Sequence, residues 1–371
     1  MARLARTEIF SADEVAIVHV MNRTVRRCFL LGDDPVTGKN YDHRKQWIDD
    51  QLVQQAKYFG IDLLCQAIMS NHFHLVLRSR PEVVAQWDDT EVARRWLMLC
   101  PAVRDQHRQP VAPTEFELNQ ILNNKEKLAT IRSRLSDISW WMRLLSQNIA
   151  QRANRDDDEV GKFWQSRYRA VRLLDETAVL ACAAYVDLNP IRAAIAETIE
   201  ESDYTSAQKR AQNLTSRKSA SQSKGSTSGS SSGSKRVVSK SGCSRHLAPV
   251  DLQERTGQRG PNVHKGGSRC SNKGFLPMTS LQYLELLDWT ARLTVNGKPG
   301  ATPKHAPSLL NRLGLNADQW KELVSSFGRL FSVVAGQPEQ IDQHRPQATA
   351  ENPVRRRYHA RGEARKLFST S

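Results

Sequence analysis

The stretch Ser70-Asn71-His72-Phe73-His74-Leu75-Val76-Leu77-Arg78 constrains this chain more than any other. Alternate side chains of a strand share a face, so His72 and His74 point one way while Phe73, Leu75 and Leu77 point the other. Two imidazoles on one strand, backed by an apolar layer, form a ligand pair for a divalent cation that they cannot coordinate alone. Out of context such a pair is more often structural than ligating. The neighbouring Asn71 turn, the alternation and a tyrosine farther along the chain favour the ligand reading.

The segments before it have the periods of a small α+β domain. Ala16 to Met21 reads as a strand, followed by a turn carrying Arg23, Arg26 and Arg27. Asp42 to Phe59 has the apolar spacing of an amphipathic helix closed by Gly60. Ile61 to Met69 and His72 to Leu77 then read as two strands joined through Ser70-Asn71. Strand, helix, strand, strand opens a ferredoxin-like split βαβ arrangement, an antiparallel sheet with helices on one face. Leu135 to Ala153 supplies the second core helix, Arg167 to Leu174 the last strand, and residues 80–134 a partly helical insertion.

The tyrosine is Tyr185, in Ala181-Cys182-Ala183-Ala184-Tyr185-Val186-Asp187-Leu188-Asn189-Pro190-Ile191-Arg192-Ala193. Glu176 to Leu188 is rich in helix formers, Asp175 is placed to cap it, and Pro190 marks a stop near Asn189. Tyr185 and Asn189 are four apart, one turn along the same helix face. A phenol and an amide so placed offer a nucleophile and a neutral oxygen ligand from one surface. Asn189 reads equally as a cap before Pro190. His19, on the first strand, is expected as a satisfied buried histidine near the same place. Arg23, Arg167 and Arg169 flank the site and are candidate phosphate contacts, since the guanidinium fork matches phosphate geometry.

In order along the chain, His19-Val20-Met21-Asn22-Arg23, the Met69 to Arg78 strand, Gly161-Lys162-Phe163-Trp164-Gln165-Ser166-Arg167-Tyr168, the Tyr185 to Ala193 motif and Ser202-Asp203-Tyr204-Thr205-Ser206 resemble the single-tyrosine HUH transposases. The resemblance is to the branch of REP-associated tyrosine transposases and spans residues 19–204. It implies a metal-dependent tyrosine DNA endonuclease and strand transferase, a transposase that cleaves and rejoins single-stranded, hairpin-bearing DNA. His72 and His74 then stand for the paired histidine ligands and Tyr185 for the attacking tyrosine. Asn189 falls where insertion-sequence relatives carry a glutamine ligand. The cation implied is Mg²⁺ or Mn²⁺, and the product a 5′-phosphotyrosine with a free 3′ hydroxyl. A homodimer is compatible with the resemblance, and so are two alternatives: a non-catalytic, domesticated hairpin-binding protein and a replication-initiator or relaxase-type endonuclease.

Charge agrees with a polyanionic partner. Lys and Arg number 54 against 39 Asp and Glu, a formal charge of +15 over 371 residues, and excess basic charge favours nucleic acid. Cys28, Cys65, Cys100, Cys182, Cys243 and Cys270 are scattered without CxxC pairs, and no apolar run approaches a membrane span of about 20 residues. Met1 to Glu8 lacks the apolar stretch of a signal peptide. The expected setting is cytoplasmic, in a bacterial cell and at the nucleoid in use, with no membrane partner. Cys243 with His246, and His264 with Cys270, do not have the spacing of a zinc finger.

Composition divides the chain into four parts. The transposase-like domain is expected over residues 12–208, and a Ser/Gly/Lys-rich flexible linker over 209–274. A helical accessory domain is expected over 275–340, from the apolar spacing of Leu281 to Leu293, Pro307 to Leu313 and Trp320 to Val334. Residues 341–371 read as a basic, disordered tail, with Arg355, Arg356, Arg357 and Arg361 as phosphate contacts or as a solvated end.

Overall fold

In the computed structural model of this chain the structure describes residues 9–11, 13–106, 108–222, 244–252, 263–294, 302–344 and 362–368, with side chains omitted over 217–222. It opens with β1 (Ile17–Arg23), α1 (His43–Tyr58), β2 (Ile61–Ile68) and β3 (His72–Ser79). Four helices of the insertion follow: α2 (Pro81–Val84), α3 (Asp89–Leu99), α4 (Glu115–Leu122) and α5 (Lys125–Arg134). Then come α6 (Ile138–Asp157), β4 (Arg169–Leu173), α7 (Glu176–Asp187) and the single turn α8 (Asn189–Arg192). The remainder holds α9 (Ser206–Gln222), α10 (Ser280–Thr294), α11 (Ala306–Arg312), α12 (Ala317–Ser325), α13 (Phe327–Leu330), β5 (Val334–Ala335), α14 (Pro338–Gln343) and α15 (Gly362–Phe368).

The strands form one five-stranded sheet in the order β2-β3-β1-β4-β5. The first four pair antiparallel, in the order a split βαβ unit requires. β5 lies parallel to β4, so the sheet is mixed rather than purely antiparallel. The expectation of helices on one face is corrected as well. Val18, Val20, Phe73, Leu75 and Leu77 bury one face of the sheet under α1 and α6. Val76, Val171 and Leu173 bury the other under α7 and the helices that follow it. With both faces covered, β3 is buried at every position but His72, and even the edge strand β2 is buried at every residue.

Local chemistry accounts for the element ends. Asp175 caps α7 by accepting from the Ala178 amide at 2.8 Å, which satisfies one of the helix's orphan donors. Gln55, fully buried on α1, donates to the Trp141 carbonyl of α6 at 2.8 Å. Arg44, also fully buried, holds Asp156 at 2.9 Å at the end of α6 and contacts Asp157 as well. Gly60 is required by packing, since a Cβ there would meet Val84 Cγ2 at 2.1 Å.

The C-terminal half does not build a core of its own. Tyr283, Leu286, Trp320, Leu323, Phe327 and Leu330 join the same apolar cluster as α7 and the sheet. Asp187, buried at the end of α7, accepts from Ser206 Oγ at 2.5 Å, the Ala207 amide at 2.9 Å and Tyr283 Oη at 2.7 Å. Desolvation raises its pKa, against the lowering pull of Arg210 and these donors. Within the stretch read as a linker, α9 carries the chain on to Gln222, and Leu247 makes a bridge to the outer edge of β2 at Leu63, beside the one that Thr205, just before that stretch, makes at Ala67. The Ser/Gly run over 223–243 lies outside the described residues. So does most of the tail, including Arg355 to Arg361, yet α15 packs Ala364 fully buried and its Arg365 pairs with Asp342 at 3.0 Å. Ala364 joins the core cluster, with Leu367 and Phe368 packed against it. Val334, expected in a helix, instead starts the strand β5. Among the described residues no helix is long and apolar enough to cross a membrane.

One buried ion cluster ties these halves together. Asp62 on β2 contacts Arg78 at 2.6 Å and Arg80 at 2.8 Å, and accepts from Ser271 Oγ at 2.8 Å and Cys270 Sγ at 3.1 Å. Burial alone would raise this carboxyl, but Arg78 and Arg80 outweigh it and hold the pKa at about 2. The unfolded group titrates near the ordinary value of about 3.9, so the stability Asp62 contributes is present above that and is lost as pH falls from about 4 towards about 2. Asp62→Asn leaves buried Arg78 without its counter-charge and Arg80 with Glu82 alone, and is expected to cost about 3–5 kcal/mol. Urea unfolding of the two proteins at pH 7 and pH 3 checks both statements, since the difference must shrink at the lower pH.

Candidate active site

The central strands carry the site residues to one face. Met21 stands opposite His74 and Arg23 opposite His72 across the β1–β3 ladder, with Arg169 opposite Met21 on β4. Directly opposite residues share a face, so His19, Arg23, His72, His74 and Arg169 all project on the α7 side of the sheet. α7 lies across that side and brings Tyr185 onto the histidines. The Tyr185 ring meets His74 edge-on at 5.5 Å between centroids and His19 at 6.0 Å. His72 lies one step farther out, 5.0 Å from His74.

A chain of hydrogen bonds orients these imidazoles. His72 Nδ1 lies 2.6 Å from Asn71 Oδ1, and an amide oxygen only accepts, so His72 carries its proton on Nδ1 and keeps a lone pair on Nε2. His74 Nδ1 lies 2.8 Å from His19 Nε2, with the two rings stacked. If His74 donates in that pair, it too presents Nε2 as a lone pair. All three imidazoles are neutral. Burial, then the charge of Arg169, lowers His19 to about 3; burial, then Arg23, lowers His72 to about 4; burial and the surrounding His72, His19, Arg192 and Arg23 push His74 well below its ordinary value.

In protonation and orientation, therefore, His72 and His74 fit a divalent cation as ligands whose other ring nitrogen is held by a neighbour. Among the described residues no group of three or more His, Cys, Asp or Glu is set to hold a metal ion. Asn189 does not extend the Tyr185 helix face as expected: α7 ends at Asp187, Leu188 departs from helical geometry, and Asn189 opens the separate turn α8, buried and away from the cavity lining.

The arginines divide. Arg23 is half-buried beside His72, and its Nε is buried with no hydrogen-bond partner, a donor that an anionic ligand would satisfy. Arg169 lines the cavity with His19, Met21, His74, Val171, Tyr185, Phe327, Gly328 and Phe331. Arg167 is exposed and outside that lining. Sequence reasoning gave no role to Arg192, whose guanidinium lies 4.5 Å over the Tyr185 ring. Its signal was its place seven residues after Tyr185 within the quoted motif. At the rim, Arg26 and Arg27 hold left-handed backbone angles, φ 51° and 63°, and the Asn71 side chain donates to the Arg27 carbonyl at 3.2 Å. Such conformations cost of the order of 1–3 kcal/mol each and persist where surrounding structure imposes them.

No family model matches the chain, and no curated protein is significantly similar to it. Among solved structures, one described as a REP-associated tyrosine transposase bound to a REP hairpin is similar over 55% of this chain and 82% of that one, at 9% sequence identity and a TM-score of 0.32. A likeness at that level carries no argument, and the reading of the site rests on its own geometry.

The neutral imidazoles carry a pH consequence. The unfolded chain takes up protons at these histidines near pH 6.5, while folded His72 and His19 do so only near 4 and 3. The unfolded state then binds more protons, so stability falls as pH drops from about 6.5 towards 4. A nitrogen-detected NMR titration is expected to show His72 neutral and Nδ1-protonated throughout pH 5–7. A midpoint near 6.5 for His72 would contradict the buried geometry.

Proposed function

We propose that this protein is a transposase-like tyrosine endonuclease acting on single-stranded DNA that carries hairpins, with Tyr185 as nucleophile. The observation that carries the reading is the Tyr185 ring set against His74 while the Arg192 guanidinium lies over its face. The Arg192 guanidinium over the ring and the imidazole at its edge set the phenol among groups that attract a phosphodiester, where its oxygen is placed to attack phosphorus. The formal charge of +15 and the orphaned Arg23 donor support a phosphate-bearing partner.

In the reaction proposed, the Tyr185 oxygen bonds to phosphorus as the bond from phosphorus to the 3′ oxygen breaks. The phenolic proton is lost, the leaving oxygen gains one, and the products are a 5′-phosphotyrosine and a free 3′ hydroxyl. His72 and His74 are the residues that would hold a divalent cation, Mg²⁺ or Mn²⁺, with Asn189 as a further candidate only after a shift of α8. Bound there, the cation would offset phosphate charge and orient the group. Arg23 and Arg169 would hold phosphate oxygens on the side of the sheet, and Arg167 a phosphate farther along the strand. Because the phosphotyrosine conserves the bond energy, the reverse attack by a 3′ hydroxyl rejoins strands, which distinguishes a transferase from a nuclease that uses water.

A second reading has its own observation. The cavity at Tyr185 measures about 20 Å³, room for about one water. A protein that binds hairpins without cutting them would tolerate so closed a tyrosine. Incubating the protein with labelled single-stranded hairpin DNA and Mn²⁺, then separating the products on a denaturing gel, decides between them. A metal-dependent covalent band is expected for the wild type and none for Tyr185→Phe, with DNA retardation on a native gel retained in both. Retardation without a covalent band in the wild type would favour the binding protein.

A further inference from the structure

What closes the tyrosine cavity comes from far along the chain. α12 ends at Ser325, and the single turn of α13 follows. Arg192 Nη2 donates to the Ser325 carbonyl at 2.7 Å, and Arg169 Nη2 donates to the Phe331 carbonyl at 3.0 Å and the Gly328 carbonyl at 3.4 Å. These are the two arginines that flank Tyr185. A Cβ on Gly328 would approach Tyr185 Oη to 3.1 Å, so the backbone of the turn packs directly against the phenol. The Phe327 ring closes the apolar side, 5.7 Å from Tyr185 and 6.2 Å from His19.

Anchoring the C-terminal helices does not need these contacts. Tyr283 binds Asp187, Trp320 Nε1 donates to Thr290 Oγ1 at 2.9 Å, Arg312 pairs with Glu176 at 2.6 Å, and β5 pairs with β4. What the turn adds is a set of carbonyl oxygens on two guanidinium groups beside a nucleophilic side chain. Guanidinium forks bind phosphate oxygens more strongly than neutral carbonyls, because the hydrogen bonds are then charge-assisted on both sides. The carbonyls of Ser325, Gly328 and Phe331 thus stand where phosphate oxygens would be favoured.

We propose that Ser325–Phe331 is a cap whose peptide carbonyls occupy a phosphate subsite formed by Arg169 and Arg192, and that a DNA phosphodiester gains Tyr185 by displacing it. The role of the phenol rests on the function proposed above; the subsite rests on the arginines. A capped population binds DNA weakly in proportion to its uncapped fraction, so anything that lifts the turn tightens binding without adding a contact to DNA.

The test uses the full chain and a labelled single-stranded hairpin. Gly328→Val forces a branched side chain into the space at Tyr185 Oη and displaces the turn. Affinity by fluorescence anisotropy without divalent cation is expected to tighten by about tenfold, as for a site that is about one-tenth open in the wild type, and covalent product with Mn²⁺ to form faster. Adding Arg192→Ala to Gly328→Val is expected to remove the gain. Phe327→Ala, which deletes the seal without adding volume, is expected to act in the same direction and replaces Gly328→Val if that variant does not fold. Unchanged affinity in a folded cap variant overturns the cap, and a gain that survives Arg192→Ala overturns the subsite. Tighter binding with no covalent product in any variant keeps the cap and overturns Tyr185 as nucleophile.

Discussion

The register of β1 against β3 is the constraint on which the rest depends. With Met21 opposite His74, residue His19 becomes the diagonal neighbour of His74 and close enough for a ring-to-ring hydrogen bond. A slip of one residue would carry His19, Arg23 and their partners to the opposite face, into the layer formed by Val18, Val20 and Phe73. Neither face tolerates that exchange. One would bury charge among apolar side chains, and the other would leave α7 without a surface to pack on. The two apolar layers therefore specify the register, and the register specifies the site.

Buried polar groups then fix how later parts of the chain attach. Asp62 and Asp187 are each enclosed and each satisfied by residues more than a dozen positions away in sequence. A carboxylate in such a place is costly unless every lone pair is met, so both act as selective docking points. Asp62 accepts only a segment that offers Ser271 and Cys270, and Asp187 only helices that bring Ser206 and Tyr283. The Tyr185 helix ends at Asp187, two residues beyond the phenol. Its placement is thereby linked to the helices that also form the roof over the tyrosine.

How much of this was legible in the sequence follows from range. The period-2 pattern at His72 to Leu77, the 3.6-residue pattern of α1 and α6, the Asp175 cap and the strand order are local signals or follow from short connections. Each is present in the chain as pattern. Convergence of His74 with Tyr185 was legible only through the resemblance of the ordered motifs to the single-tyrosine HUH transposases. The turn at Phe327 was not legible, because nothing in its four residues marks a partner some 140 positions earlier. The placement of Asn189 was not legible for a local reason: uniform helix spacing runs across Leu188, where α7 has ended and α8 begins. The one-sided sheet failed because Leu64, Cys65, Ala67 and Val76 read as strand interior without showing which helices would cover them.

The outer strands bear on how such a sheet can be inherited. The free side of β2 is met at Ala67 and Leu63 by bridges from Thr205 and Leu247, and the free side of β4 by β5. Each of these covering pieces lies at the close of, or beyond, the segment that holds the motifs. An unprotected strand edge is a template for another chain. Cut away from its C-terminal half, the motif-bearing sheet would lose β5 from β4 and the Leu247 bridge from β2, and keep only the Thr205 bridge. Residues 12–208 taken alone would carry every quoted motif and the Thr205 bridge, yet leave the outer side of β4 bare where β5 now lies.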